Sequence, residues 1–364
     1  MIEPAATTPI EPGSDGRIQS VVDERIEAPT IVESEAVAVG SARRPREPMA
    51  APAEPGLFAV PKEVTWKKFR WGIALSIATV HLLAFGAAIP WLFSWSGLIL
   101  AIGGIYVFGT LGINICFHRL LTHRSFKTPV WLERFFAVLG VCCLEGSPAA
   151  WVAHHRMHHQ HSDHEEDPHS PLVAFFWGHI GWMLVENRSV NSAGACERYA
   201  KDICKDRFYI ALTRRQRWLL IYLGHAALFF LGGFGLGGMI GGDMATALQL
   251  GLSWLVWGVL LRTVLVWHIT WSVNSLTHMA GYRNYETNEN SRNNWFVALI
   301  SNGEGWHNNH HADQRSAAHG HRWFEFDVSY LTILSLKAVG LASDIIKPAR
   351  DRGEFGGKNR AKAH

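Results

Sequence analysis

The chain has 364 residues, 48% of them hydrophobic, and a formal net charge of +3. Its basic residues are dispersed between apolar runs and form no stripe with interleaved aromatics, which excludes nucleic acid as an expected partner. The five cysteines, Cys116, Cys142, Cys143, Cys196 and Cys204, are odd in number and lack Cys-x-x-Cys spacing, so neither a disulfide framework nor a thiolate zinc site is expected.

Met1 to about Gly56 contains no Phe, Tyr or Trp and is rich in Pro, Ala and Glu. Such a segment cannot bury enough surface to offset chain entropy, so residues 1–61 are expected to form a disordered tail. No charged start followed by an apolar core and a cleavage site marks it as a secretory signal.

Trp71 to Phe93 and Gly97 to Phe117 are uncharged runs. Each is long enough as a helix to cross a hydrocarbon core about 30 Å thick. Trp218 to Ile240 is a third run, and Ala245 to Leu261 begins a fourth that continues past Arg262 to His278. Short connections, Ser94–Ser96 and Gly241–Met244, join them into two hairpins. Arg262 is expected to mark the cytosolic interface, because a charge at the bilayer centre is costly.

Lys62, Lys67, Lys68 and Arg70 precede the first run, Arg119, Arg124 and Lys127 follow the second, and Arg214, Arg215 and Arg217 precede the third. Neither hairpin tip carries Lys or Arg, so both termini and the long middle segment are expected in the cytosol. Val130–Ala150 and Pro171–Val185 are candidate cap segments over the stem. The expected fold is all-α integral membrane, with four transmembrane helices in two hairpins and a cytosolic helical cap holding a histidine-rich di-metal site. The membrane domain spans 62–348, and 349–364 form a C-terminal tail.

Four histidine clusters fall on that one side: His118-Arg-Leu-Leu-Thr-His123, His155-Arg-Met-His158-His159, Asn274-Ser-Leu-Thr-His278 and His307-Asn-Asn-His310-His311. The second and fourth carry histidines at i, i+3 and i+4, on one helical face. The i, i+5 spacing of His118 and His123 misses a single α-helical face, and the two could then serve different metals. Nine imidazoles and one amide exceed what one ion can use, so two ions are expected. His81, His225, His268, His319 and His321 read as ordinary interior or surface groups, and His161, His164 and His169 as non-ligands. The Gly-rich Gly232–Gly242 stretch reads as close helix packing and not as a dinucleotide fingerprint.

These clusters resemble the three histidine boxes of the membrane fatty acid desaturase family, specifically its delta-9 branch. The matching stretches are HRLLTH from His118, WVAHHRMHH from Trp151, DPHSP from Asp167, HIGW from His179, TWSVNSLTH from Thr270, GEGWHNNHH from Gly303 and WFEFD from Trp323. The resemblance covers roughly Trp66 to Pro348. It implies two iron ions held by His118, His123, His155, His158, His159, His278, His307, His310 and His311, with Asn274 completing the set through water. It also implies a bent acyl tunnel, with Glu145, Trp151, Thr270 and Trp271 around the bend and Tyr106 and Thr110 at its far end.

The implied activity is O2-dependent insertion of a cis double bond, at position nine, into a saturated acyl chain carried as a thioester or a lipid. Breaking unactivated C–H bonds requires an oxidising metal centre. Electrons would come from an external ferredoxin, rubredoxin or cytochrome b5, since the sequence shows no flavin motif and no His-Pro-Gly-Gly haem signature. Ala153 and His154 stand where acyl-CoA members carry an Arg-Asp pair, a departure that weakens a CoA headgroup assignment. A membrane di-iron hydroxylase is the nearest alternative, and a histidine-rich metal transporter or sensor a distant one.

Overall fold

The computed structural model describes residues 58–353, so residues 1–57 of the expected N-terminal tail and 354–364 of the C-terminal one lie outside it. Four helices are long and apolar enough to cross a membrane: Trp71–Ala88, Trp95–Thr122, Arg207–Gly241 and Met244–His278. Their outer faces carry large apolar side chains such as Leu82 and Leu228, each 71% exposed. A hydrocarbon surrounding removes the cost that water would impose on such faces.

Local sequence sets the ends of these spans. Regular winding in the first stops at Ala84, followed by a 3-10 turn over Phe85–Ala88, short of the expected limit at Phe93. Pro90 forces Ile89 into extended backbone (φ −82°, ψ 114°), which breaks the helix. Ser94 opens the second span by accepting a hydrogen bond from Gly97 N at 2.9 Å, and its hydroxyl also contacts Ser253 Oγ of the fourth span at 2.7 Å.

The third span kinks at Arg215 and Gln216, both at positive φ, then runs regularly over Arg217–Gly241. Its small residues do pack closely, as expected. A Cβ on Gly233 would lie 2.6 Å from Leu250 O, and one on Gly237 2.6 Å from Thr246 O. Asp243 caps the fourth span by accepting from Thr246 N at 2.8 Å.

Arg262, expected at the interface, is completely buried within the protein. Its Nη1 donates to Cys142 O at 2.8 Å and its Nε to Gly258 O at 3.1 Å, while Nη2 lies 3.2 Å from His225 Nε2 and the guanidinium sits 4.3 Å from the Phe108 ring centroid. A charge can be held there because carbonyls, an imidazole and an aromatic face stand in for lost water contacts.

Shorter helices Val130–Val141, Pro148–His161, Trp295–Ile300, His307–Ala312 and Val328–Ala338 surround the inner ends of the second and fourth spans. The first of these lies so close to the second span that a Cβ on Gly112 would clash with Gly140 N. One feature departs from an all-helical fold. β1 (Val64–Phe69) and β2 (Val185–Asn187) pair antiparallel, with Val64 opposite Asn187 and a bulge before Phe69. Hydrogen bonding also passes the expected domain bounds, since Phe58 N donates to Leu172 O and Ala349 N to Asp313 Oδ2.

Candidate metal centre

Nine histidines from four segments converge at the inner ends of the second and fourth spans, and they divide into two groups. Ring nitrogens of His118, His123, His155, His159 and His310 lie within 4.8 Å of one another, and so do those of His158, His278, His307 and His311. Each i, i+3, i+4 cluster is therefore split. His155 and His159 serve the first group and His158 the second, whereas His307 and His311 serve the second and His310 the first.

His118 and His123 belong to the same group, which corrects the expectation that their spacing separates them. The second span does not end as an α-helix. It winds as a π-helix over Ile105–Thr122, and His123 N donates to His118 O at 3.1 Å, an i→i+5 bond. That wider turn brings residues five apart onto one side, with ring centroids 4.8 Å apart.

Four carboxylates orient the rings. His118 Nδ1 donates to Glu304, His158 Nδ1 to Asp167 at 3.0 Å and His278 Nδ1 to Asp163 at 2.9 Å, and His311 Nδ1 lies 3.6 Å from Glu289. A proton fixed on Nδ1 leaves the Nε2 lone pair facing inward. The acids are themselves anchored. Arg119, fully buried, donates through Nε and Nη2 to Glu304 and through Nη1 to Asp327 and Ala317 O. Asp163 also accepts from Ser170 Oγ and Asn290 N.

Within the last box, Asn308 accepts from the backbone of Asn284 and Tyr285, and Asn309 donates to Glu325 and His319 O, which locks the short His307–Ala312 helix. None of these partners was singled out from the sequence. They stand inside or near the quoted stretches, but only the fold shows which ring each one meets.

Electrostatics favour the ligating form. Burial, reinforced by neighbouring imidazoles, holds His155, His159, His307, His310 and His311 well below the usual histidine range, so these rings are neutral. Burial alone would raise Glu304, but Arg119, His319 and His118 hold it well below the usual carboxylate range. Asp163 is likewise held down by His278 against the effect of burial.

The residues fit a pair of metal ions. Nε2 atoms of His118 and His310 approach to 3.1 Å, of His310 and His159 to 2.9 Å, of His159 and His155 to 3.0 Å, and of His307 and His278 to 3.1 Å. Buried Nε2 atoms of His123, His158 and His311 have no hydrogen-bond partner. Converging lone pairs in a dry space are costly unless a cation sits among them, and imidazole suits iron, zinc, copper and nickel. Asn274 lies half-buried four residues before His278 on the fourth span.

Of the tunnel residues, Thr110 and Thr270 line a narrow cavity with Ile105, Asn114, Ile269 and Asn302, between the second and fourth spans and the 300–302 turn. Glu145 accepts from Thr270 Oγ1 at 2.9 Å and from Trp151 Nε1 at 3.0 Å, and Trp151 stacks on His155 with centroids 5.0 Å apart. Tyr106 stands apart at the outer surface, its hydroxyl 2.7 Å from Thr332 Oγ1. Trp271 lies beside Trp267, His179, His268 and His81.

Among the histidines read as ordinary, His225 meets Arg262, His321 meets Tyr285, and His81 and His268 meet each other. His319 is different, for it lies within the centre beside Glu304. A cleft of about 550 Å³, lined by His311, Asp313, Arg315 and Arg352 among others, opens beside the second group.

Membrane-length helices around a buried double cluster of imidazoles define a class: helical proteins with a polyhistidine metal centre. A family profile described as fatty acid desaturase matches residues 89–319. The sn-1 stearoyl-lipid 9-desaturase of Anabaena variabilis is 41% identical over 77% of this chain and 95% of its own. A chloroplastic palmitoyl-monogalactosyldiacylglycerol delta-7 desaturase of Arabidopsis thaliana is 40% identical, over 79% of this chain and 71% of its own. An acyl-CoA C20 Delta5-desaturase of Anemone leveillei is 38% identical, over 79% and 86%. The chain belongs to the fatty acid desaturase family. It is therefore an oxidoreductase acting on fatty acyl chains.

Proposed function

We propose that this protein introduces a cis double bond at position nine of a saturated acyl chain, using O2 and two iron ions held by the nine histidines, with Asn274 acting through water. The observation that carries the reading is the division of those histidines into groups of five and four, each with carboxylate-oriented rings. An iron pair would supply, when bound, the oxidising power to remove two hydrogens from adjacent carbons; those two hydrogens, with two external electrons and two protons, reduce O2 to two waters.

The chain's own residues do the rest. Glu304, Asp167, Asp163 and Glu289 set the rings, so that little reorganisation is needed on turnover. The cavity walls at Thr110 and Thr270 fix which carbons lie near the centre, and Trp151, bonded to Glu145 and stacked on His155, joins that wall to the first group. Burial of the rings excludes water, which protects the C–H chemistry from side reactions.

An acyl group esterified to a glycerolipid is the favoured substrate over an acyl-CoA thioester. The name of the Anabaena relative points that way, and so do Ala153 and half-buried His154 where acyl-CoA members carry an Arg-Asp pair. The four spans form two hairpins in the bilayer, with both termini and the centre on the cytosolic face, as the placement of Lys and Arg favours. A ferredoxin, rubredoxin or cytochrome b5 docks on that face to deliver electrons, and the Arg315 and Arg352 side of the His311 cleft suits an acidic carrier.

The deciding experiment is expression in a host of known lipid composition, followed by mass spectrometric location of any new double bond. A cis alkene at carbon nine of a membrane lipid is expected. A hydroxylated chain, or unchanged lipids with a folded and iron-loaded protein, would overturn the reading.

A further inference from the structure

Nine imidazoles are accounted for, and a tenth shares their space. His319 is 1% exposed, and its Nε2 has no hydrogen-bond partner. Its Nδ1 lies 3.3 Å from Glu304 Oε2. Its ring packs against His310 with centroids 4.3 Å apart and planes 31° apart, and meets His118 edge-on at 5.3 Å. A buried imidazole with one nitrogen unpartnered and the other facing a single carboxylate is a costly way to fill volume that Phe or Leu would fill better, so packing alone does not account for it.

The surroundings say what it acts on. Glu304 Oε1 takes two bonds from Arg119, while Oε2 takes His118 Nδ1 and faces His319 with its remaining lone pair. The His319 backbone is fixed from two sides. Its N–H donates to Asp327 Oδ2 at 2.7 Å, and its carbonyl accepts from Asn309 Nδ2 at 2.8 Å. Asp327 is bound by Arg119, and Asn309 is next to His310 in the short helix of the last box. His319 thus bridges the mount of His118 and the mount of His310, yet it stands outside the five-ring convergence itself.

We propose that His319 is a positioning residue for the first group: through Nδ1 it holds Glu304, which orients His118, and its ring face sets the plane of His310. This rests on the reading that the first group holds a metal ion.

The test uses the purified full chain, stripped of metal and titrated with Co2+, with visible absorption and metal per chain as readouts. His319→Phe keeps the packing and removes both nitrogens. His319→Asn places an amide nitrogen near the Nδ1 position, and His319→Gln places it near Nε2. Wild type is expected to bind two Co2+. The Phe and Gln variants are expected to lose at least about tenfold in affinity at one site, with altered absorption there, and the Asn variant to stay within about threefold of wild type.

The proposal is overturned if the Phe variant matches wild type in affinity and spectrum at both sites, or if Asn and Gln behave alike. A wild-type chain that takes up no Co2+ overturns the two-metal reading along with it, whereas an indifferent Phe variant beside a normal wild type overturns this inference alone.

Discussion

Asp163 Oδ2 accepts a hydrogen bond from His278 Nδ1 at 2.9 Å across 115 residues of chain, tying the loop after the second histidine box to the end of the fourth span. Both side chains are buried, and the acid also receives Asn290 N at 2.7 Å. The ring of His278 is thereby oriented by a segment it never meets along the sequence.

Replacing that acid isolates its effect. Asp163→Asn keeps the volume but removes the charge that favours a proton on Nδ1. Metal affinity of the second group is expected to fall by about 10- to 100-fold, while the first group, mounted on Glu304, is little changed. Competition against a calibrated chelator measures both, and equal loss at the two groups would contradict the separate mounts.

Glu145 gives a pH dependence. Burial pushes its carboxyl up to about 7 from an ordinary 4.5, although bonds from Trp151 and Thr270 pull it down. Between those values the folded chain keeps a proton that the unfolded chain has released, so this group makes stability fall as pH rises from about 4.5 to 7 and adds no further change above. The total is about 3 kcal/mol. Thermal unfolding of wild type and Glu145→Gln from pH 4.5 to 8 should show the variant gaining on wild type across that window. Parallel profiles would count against a buried, protonated carboxyl.

Arg262 predicts a structural cost. Arg262→Met removes the donors to Cys142 O and Gly258 O and the contact with His225, leaving buried polar groups unpaired. A loss of about 3 kcal/mol is expected, read as a lower unfolding midpoint in detergent with metal content unchanged at temperatures where the variant is folded.

Much of the site was legible in the sequence because metal chemistry constrains residue type and spacing together. The i, i+4 pairs His155–His159 and His307–His311 do share a group. What spacing did not show is the sharing of each box between two groups, since that depends on how helices from distant segments face one another. The pairing of His118 with His123 was missed for a local reason: a 3.6-residue period was assumed where the backbone opens to i→i+5 winding. The partners of Arg262, Cys142 O and His225, were not legible, because a charge in an apolar run shows nothing of the groups that distant segments bring to it. His319 carried no spacing signal at all. The first, second and fourth apolar runs start within two residues of the expected positions, whereas the third starts at Arg207, eleven residues before Trp218, and β1 and β2, short and far apart in sequence, offered no strong alternation.

The centre itself is tested most directly by counting metal. Elemental analysis of the purified, iron-reconstituted chain should give two iron ions per chain, falling to about one in His310→Ala and in His158→Ala, with desaturation abolished in both. A folded wild-type chain holding one ion or none, or variants that keep both ions and full turnover, would contradict the account.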